Sequence, residues 1–159
     1  MGCKIKNSYK KEIIKRQKNL YLKMEKIYSK IKPEMLLHVI NRKEDITTQR
    51  KDLSPEEEGL QVSCFLMNKD EKTRPHKHIK QIRTTYLTQE VWIVIKGSIK
   101  VTLYDLDNEI IKDETLRLGD CLVTFRGGHS FISLEEDTTI YECKTGPYQG
   151  QEKDRVFID

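Results

Sequence analysis

Two histidines one residue apart are the first residues in this chain whose type and spacing could do chemistry. His76 and His78 flank Lys77, ahead of the most apolar run in the sequence, residues 91–95. Alternate side chains of an extended strand point to the same face, so the two imidazoles would project together. Imidazole is a common ligand of transition metals. The pair therefore predicts half of a metal site, and the alternative interpretation is two solvated histidines beside a turn.

Two more residues could complete such a site. Glu90 opens the apolar run, and alternation places its side chain on the same face as Trp92 and Val94. Both flanks of this strand are apolar, which predicts cover on both faces, and a carboxylate there needs a partner, a proton or a metal. His129 follows two glycines, which permit a sharp turn with a positive φ. The alternatives are a solvated glutamate at the strand end and an ordinary turn histidine.

The part of the chain that must position these residues consists of short apolar runs separated by turn signals. Their spacing of roughly 8–12 residues, without intervening helices, predicts an all-β fold, a sandwich or a barrel. The predicted strands cover residues 35–40, 60–67, 84–95, 99–104, 109–112, 121–125, 129–134 and 139–144.

The segment before Pro33 has a different pattern. Ile13, Leu20 and Ile27 recur every seven residues, which predicts an amphipathic helix over residues 10–31. Proline ends this helix because its ring does not fit inside one. The apolar stripe could pack on the rest of the chain or pair with a second copy to form a homodimer.

Charge and cysteine usage constrain the class of protein. The net charge of +4 is concentrated in residues 1–32, which predicts a basic helical extension there and a separate β-domain over residues 33–159. A basic helix could contact nucleic acid or lipid, but a solvated face is favoured. The 4 cysteines form no C-x-x-C pair, which indicates reduced thiols. Because no apolar run resembles a membrane span or a secretion signal, we predict a cytoplasmic protein.

The order of these residues resembles the cupin superfamily, small β-barrels of the jelly-roll type that are also described as double-stranded β-helices. The first cupin motif is a His-x-His pair and a glutamate, then six residues and a glycine. His76, His78, Glu90 and Gly97 match it, although 11 residues separate the pair from the glutamate.

The second cupin motif begins with Gly-Asp and ends in a histidine after a turn. Gly119, Asp120 and His129 match it, and the resemblance covers roughly residues 35–145. It implies an all-β cupin barrel that binds a divalent transition metal such as Fe, Mn, Ni or Zn. The ligands implied by the resemblance are His76, His78, Glu90 and His129.

A narrower resemblance is to small cupins encoded among surface-polysaccharide biosynthesis genes. The stretches that carry it are Thr88-Gln89-Glu90, Gly127-Gly128-His129 and Glu142-x-Lys144-x-Gly146-Pro147-Tyr148. It implies a small-molecule substrate, a sugar or nucleotide-sugar derivative, and isomerase or epimerase chemistry. A dioxygenase belongs to the same class of hypothesis, because iron takes similar ligands.

Two residues near the predicted metal are candidates for acid or base catalysis. Tyr86 lies between the histidine pair and Glu90, and Glu142 lies in a mainly apolar strand. The alternative for Glu142 is an outward position, with Tyr141 and Cys143 as the inward pair. Other polar candidates are Arg74, Arg83, Tyr104, Arg126 and Lys144.

Two hypotheses compete with the enzyme. The first is a non-catalytic module that binds a sugar or senses a metal, which needs the pocket but no acid or base. The second is a protein that binds nucleic acid or another partner through the basic residues 1–32, and it predicts binding that weakens steeply with salt.

Overall fold

The computed structural model describes residues 24–159, and they form an all-β structure, as predicted. A 3-10 turn, Lys43–Asp45, follows the second strand, and a single-turn helix α1, Gln151–Asp154, follows the last. The strands of the described range are β1 Glu25–Tyr28, β2 Leu36–Asn41, β3 Arg50–Asp52, β4 Ser63–Phe65, β5 Glu90–Lys96, β6 Ser98–Tyr104, β7 Ile110–Arg117, β8 Cys121–Thr124, β9 Gly128–Ser133 and β10 Thr139–Lys144.

Two antiparallel sheets pack face to face around the main core. The five-stranded sheet has the order β1-β2-β8-β5-β10, and the three-stranded sheet has the order β7-β6-β9. One apolar cluster joins their inner faces, so burial of this cluster holds the sheets together. Its buried members are Ile27, Ile40, Trp92, Val94 and Leu122 from the larger sheet and Ile99, Val101, Leu103 and Leu116 from the smaller.

The other face of the five-stranded sheet is also covered. The hairpin of β3 and β4 and the chain beside it supply Leu53 and the half-buried Leu60, Val62 and Cys64. They pack on Leu36, Val39, Val91, Cys121, Val123 and Phe125. The prediction that β5 is covered on both faces is confirmed, because Val91 and Trp92 point to opposite faces and both are buried.

The helix predicted over residues 10–31 is wrong where the structure describes it, and residues 10–23 lie outside the described range. Glu25–Tyr28 form β1, which pairs antiparallel with β2. Ile27 on this strand joins the core between the sheets. The edge of β2 supplies the hydrogen bonds that a helix would make internally, so this long-range pairing overrides the local sequence period.

Two predicted strands are much shorter in the structure. The strand predicted over residues 60–67 forms only at Ser63–Phe65, and the one predicted over 84–95 begins at Glu90. Both neighbours of β5 end level with Glu90, through Lys144 on β10 and Thr124 on β8. Among the strands of the described range, residues 84–89 therefore have none to pair with. Within residues 24–159, no helix is long and apolar enough to cross a membrane.

Candidate functional site

Four polar residues lie in register across the inner face of the five-stranded sheet. Thr124 on β8 pairs with His38 on β2 and with Glu90 on β5, and Glu90 pairs with Lys144 on β10. His38, Thr124 and Glu90 are buried, and Lys144 is partly exposed. We call these four residues the polar row. It replaces the apolar core at one end of the space between the two sheets.

His129 reaches the polar row from the opposite sheet. Its Nε2 lies 3.1 Å from Glu90 Oε2, and its ring contacts Trp92 edge-on with 4.7 Å between centroids. Cross-strand pairing with Leu103 on β6 fixes the position of His129 on β9. The imidazole, as a hydrogen-bond donor, lowers the pKa of Glu90 and outweighs the opposing effect of burial. Glu90 is therefore an ionised carboxylate at neutral pH.

His38 was not predicted as part of the site. Its Nδ1 lies 3.3 Å from Thr124 Oγ1. Burial, reinforced by His129, lowers the pKa of His38 to about 4, and an interaction with the Tyr104 backbone opposes this shift without reversing it. The imidazole is therefore neutral at pH 7. The signal in the sequence was a single histidine inside the otherwise apolar run of residues 35–40.

Lys144 connects the polar row to the last part of the chain. Its Nζ lies 3.9 Å from Glu90 Oε1, 3.7 Å from Glu142 Oε1 and 3.4 Å from Asp154 Oδ2. It also lies 4.4 Å from the centroid of the Tyr148 ring, a cation–π geometry. One ammonium group thus stands among three carboxylates, and these carboxylates raise the pKa of Lys144 against the effect of burial.

Glu142 lies on the inner face, so the alternative in which Tyr141 and Cys143 point inward is wrong. Glu142 pairs with Trp92, and Ile140 packs against the core between the sheets. Tyr141 and Cys143 point the other way and are exposed. Because β10 is an edge strand, the Glu142 side chain remains 42% exposed and contacts the site through Lys144.

The histidine pair lies on an exposed segment without helix or strand, between β4 and β5. The strand expected around His76 and His78 is not formed, although their rings are 5.4 Å apart. His76 Nδ1 lies 3.0 Å from the carbonyl oxygen of Arg74. Tyr86 on the same segment is 95% exposed. The structure thus brings Glu90 and His129 together and leaves the pair and Tyr86 in solvent.

The described residues do not form a metal centre in this arrangement. No group of three or more His, Cys, Asp or Glu side chains within residues 24–159 could hold a metal ion. Two of the four predicted ligands, Glu90 and His129, are in contact with each other. The other two, His76 and His78, lie on the exposed segment. Metal binding by all four residues therefore stays a prediction.

The chain matches no protein-family model, no curated protein and no solved structure. Its chemistry must therefore be interpreted from the site itself. The ionised Glu90 and the imidazole of His129 can hold a proton between them, and Lys144 supplies a positive charge on the other side of the carboxylate. Such a set can exchange a proton with a bound group and stabilise negative charge that forms on it.

Proposed function

We propose that this chain is a cupin-type jelly-roll protein whose polar row binds a sugar or nucleotide-sugar derivative and catalyses isomerisation or epimerisation. The observation that carries the proposal is the 3.1 Å contact between His129 Nε2 and Glu90 Oε2 at the polar end of the space between the sheets. The spacing of Glu90 from Gly97 and the Gly-Asp to His129 motif support the cupin assignment.

The proposed reaction moves a proton at a carbon next to a carbonyl group. The hydrogen-bonded pair of His129 and Glu90 takes up this one proton, which leaves the electron pair of the broken C–H bond on the substrate as an enolate. The pair then returns one proton to a different position or to the other face of the same carbon. Lys144 Nζ, 3.9 Å from Glu90 Oε1, stabilises the negative oxygen of that intermediate. Glu142, 3.7 Å from the same ammonium, and Tyr86 remain the proposed further acid or base residues.

Metal binding is a separate part of the proposal. The ion would be Fe, Mn, Ni or Zn, held by Glu90, His129 and the histidine pair once the exposed segment closed over the polar row. The described arrangement does not fit a metal ion, because the pair is not gathered with Glu90 and His129. For that reason no step of the proposed reaction is assigned to a metal.

The test is exchange of substrate hydrogen for deuterium in heavy water, followed by mass spectrometry over a panel of nucleotide-sugars. We expect the wild-type chain to exchange one hydrogen, and Glu90→Gln and His129→Asn to lower the rate by about 100-fold or more. Glu136→Gln, which alters an exposed turn carboxylate, is the matched control and keeps the wild-type rate.

Binding without exchange in the wild-type chain would replace the enzyme with a non-catalytic binding module. The same preparations report on the metal when their content is measured by elemental analysis. Equal metal content in the wild-type chain and in a His76→Ala/His78→Ala variant would contradict the four-ligand site.

A further inference from the structure

We propose that Thr88 and Lys144 form an oxyanion subsite for a carboxylate or phosphate group of the ligand, and that the chain's own Asp154 occupies this subsite until the ligand displaces it. This inference rests on the proposed function, because it takes the polar row as the ligand site. It adds the chemical class of one ligand group and a regulatory role for the C-terminal segment, residues 145–159.

Two hydrogen-bond donors converge on the Asp154 carboxylate. Thr88 Oγ1 donates to Oδ1 at 2.6 Å, and Lys144 Nζ donates to Oδ2 at 3.4 Å. The donors come from different parts of the fold, one just before β5 and the other at the end of β10. A ligand carboxylate, or two oxygens of a phosphate, presents the same pair of acceptors. Asp154 therefore stands where a ligand anion would bind.

The C-terminal segment also packs against the start of β9. A Cβ at Gly128, next to His129, would overlap Ile158 Cδ1, so the Ile158 side chain fills the space that this glycine leaves. The segment therefore contacts the rest of the fold at Thr88, at Lys144 and at Gly128.

Side-chain contacts, rather than helix stability, hold the segment in place. Its helix α1 has 4 residues and no side-chain cap. Helices this short are unstable in isolation, because one turn does not repay the cost of nucleation. The contacts of Asp154 and Ile158 are few enough for a ligand to replace them. Such a segment can leave the site without unfolding either sheet.

The charges around Lys144 favour displacement of Asp154 by the ligand anion over binding of both groups at once. Lys144 already stands among Glu90, Glu142 and Asp154, so an additional anion would be repelled. A ligand carboxylate or phosphate that replaces Asp154 keeps the number of negative groups around Lys144 unchanged. Only molecules in which Asp154 has left the subsite can bind the ligand, so the apparent affinity is lower than the intrinsic affinity of the open subsite.

The test is a titration of the full chain with inorganic phosphate, monitored by isothermal titration calorimetry. We expect Asp154→Asn and Asp154→Ala to bind phosphate about tenfold more tightly than the wild-type chain, because they release the subsite. Glu152→Gln on the same helix is the matched control, since Glu152 is exposed and makes no ion pair within the described residues. It should bind phosphate as the wild-type chain does.

A second substitution tests whether the tighter phosphate binding depends on Lys144. Adding Lys144→Met to Asp154→Ala should abolish the tighter binding, whereas adding His129→Asn should leave it intact. Unchanged affinity in both Asp154 variants, or a gain that survives Lys144→Met, would overturn the subsite. The His129→Asn substitution separates the two proposals. Phosphate binding tests only the subsite at Thr88 and Lys144, and hydrogen exchange tests only the proton transfer by His129 and Glu90, so either proposal can fail while the other is supported.

Discussion

At the scale of single residues, the buried histidine of the polar row links the stability of the fold to pH. His38 is fully buried, with Thr124 on one side and with His129 and Asp105 close enough to influence its charge. Burial disfavours the imidazolium form, and His129 disfavours it further, while Asp105 only partly compensates. The folded protein therefore holds a neutral imidazole where an unfolded chain would take up a proton in mild acid.

We predict that this histidine makes the protein less stable in acid. The unfolded chain binds the proton near the ordinary pKa of 6.5, and the folded chain binds it only near 4. The free energy of unfolding therefore falls as the pH falls through this window, by about 3 kcal/mol at pH 4. Urea unfolding from pH 7 to pH 4 measures the slope, which His38→Gln should reduce and the exposed control His76→Gln should preserve. Identical slopes in all three proteins would contradict this assignment.

The sequence predicts those features of the site that depend on neighbours along one strand, and not those that depend on pairing between distant strands. The inward direction of Glu90 follows from alternation along one strand, and the prediction was correct. The neighbours of Glu90 depend on the register between strands, which joins Lys144 and Thr124 to it across long stretches of chain. The strand predicted around His76 and His78 required a partner strand, which residues 24–159 do not provide.

At the scale of elements, β1 shows how a sequence period can mislead. Ile31 follows Ile27 by four residues, so the predicted helix would place both side chains on its apolar face. In the structure Ile27 is 7% exposed within β1, and Ile31 is 51% exposed in the turn that follows. The turn is fixed instead by Ser29, whose hydroxyl donates a 2.5 Å hydrogen bond to Asp105. A contact between residues so far apart in sequence leaves no trace in a local pattern.

This difference gives a direct prediction for two isoleucines of the same stripe. Ile27→Ala should lower the free energy of unfolding by about 2–5 kcal/mol, because it leaves a cavity between the sheets. Ile31→Ala should change it by less than about 1 kcal/mol, because the side chain is already in solvent. Chemical denaturation of the two variants at one pH measures the difference. Equal losses would support the helix instead.

At the scale of the whole molecule, the three layers give the cysteines unequal environments. Cys121 is buried between the five-stranded sheet and the hairpin, and burial raises the pKa of its thiol to about 12. Cys143 is on the edge strand β10 and is exposed. The same residue type is therefore protected in the middle of the structure and open at its edge.

We predict that thiol labelling distinguishes these positions. A shift of the Cys121 pKa from 9.0 to about 12 lowers its thiolate fraction at pH 8 by about 1000-fold, in addition to the shielding by the hairpin. Iodoacetamide labelling, resolved by peptide mass spectrometry, should therefore modify Cys143 first and Cys121 only after unfolding. Cys143→Ser should remove the labelling of that peptide and leave Cys121 unmodified in the folded protein. Comparable rates at the two positions would contradict the layered arrangement.

The edge-on contact between Trp92 and His129 has an optical consequence. Trp92 is the single tryptophan of the chain, and its ring lies 4.7 Å from that imidazole. An excited indole passes an electron readily to a protonated imidazole and poorly to a neutral one, so protonation dims its emission. Tryptophan fluorescence from this protein therefore originates beside the group proposed to carry the proton. Trp92 is therefore an intrinsic fluorophore next to the proposed ligand site.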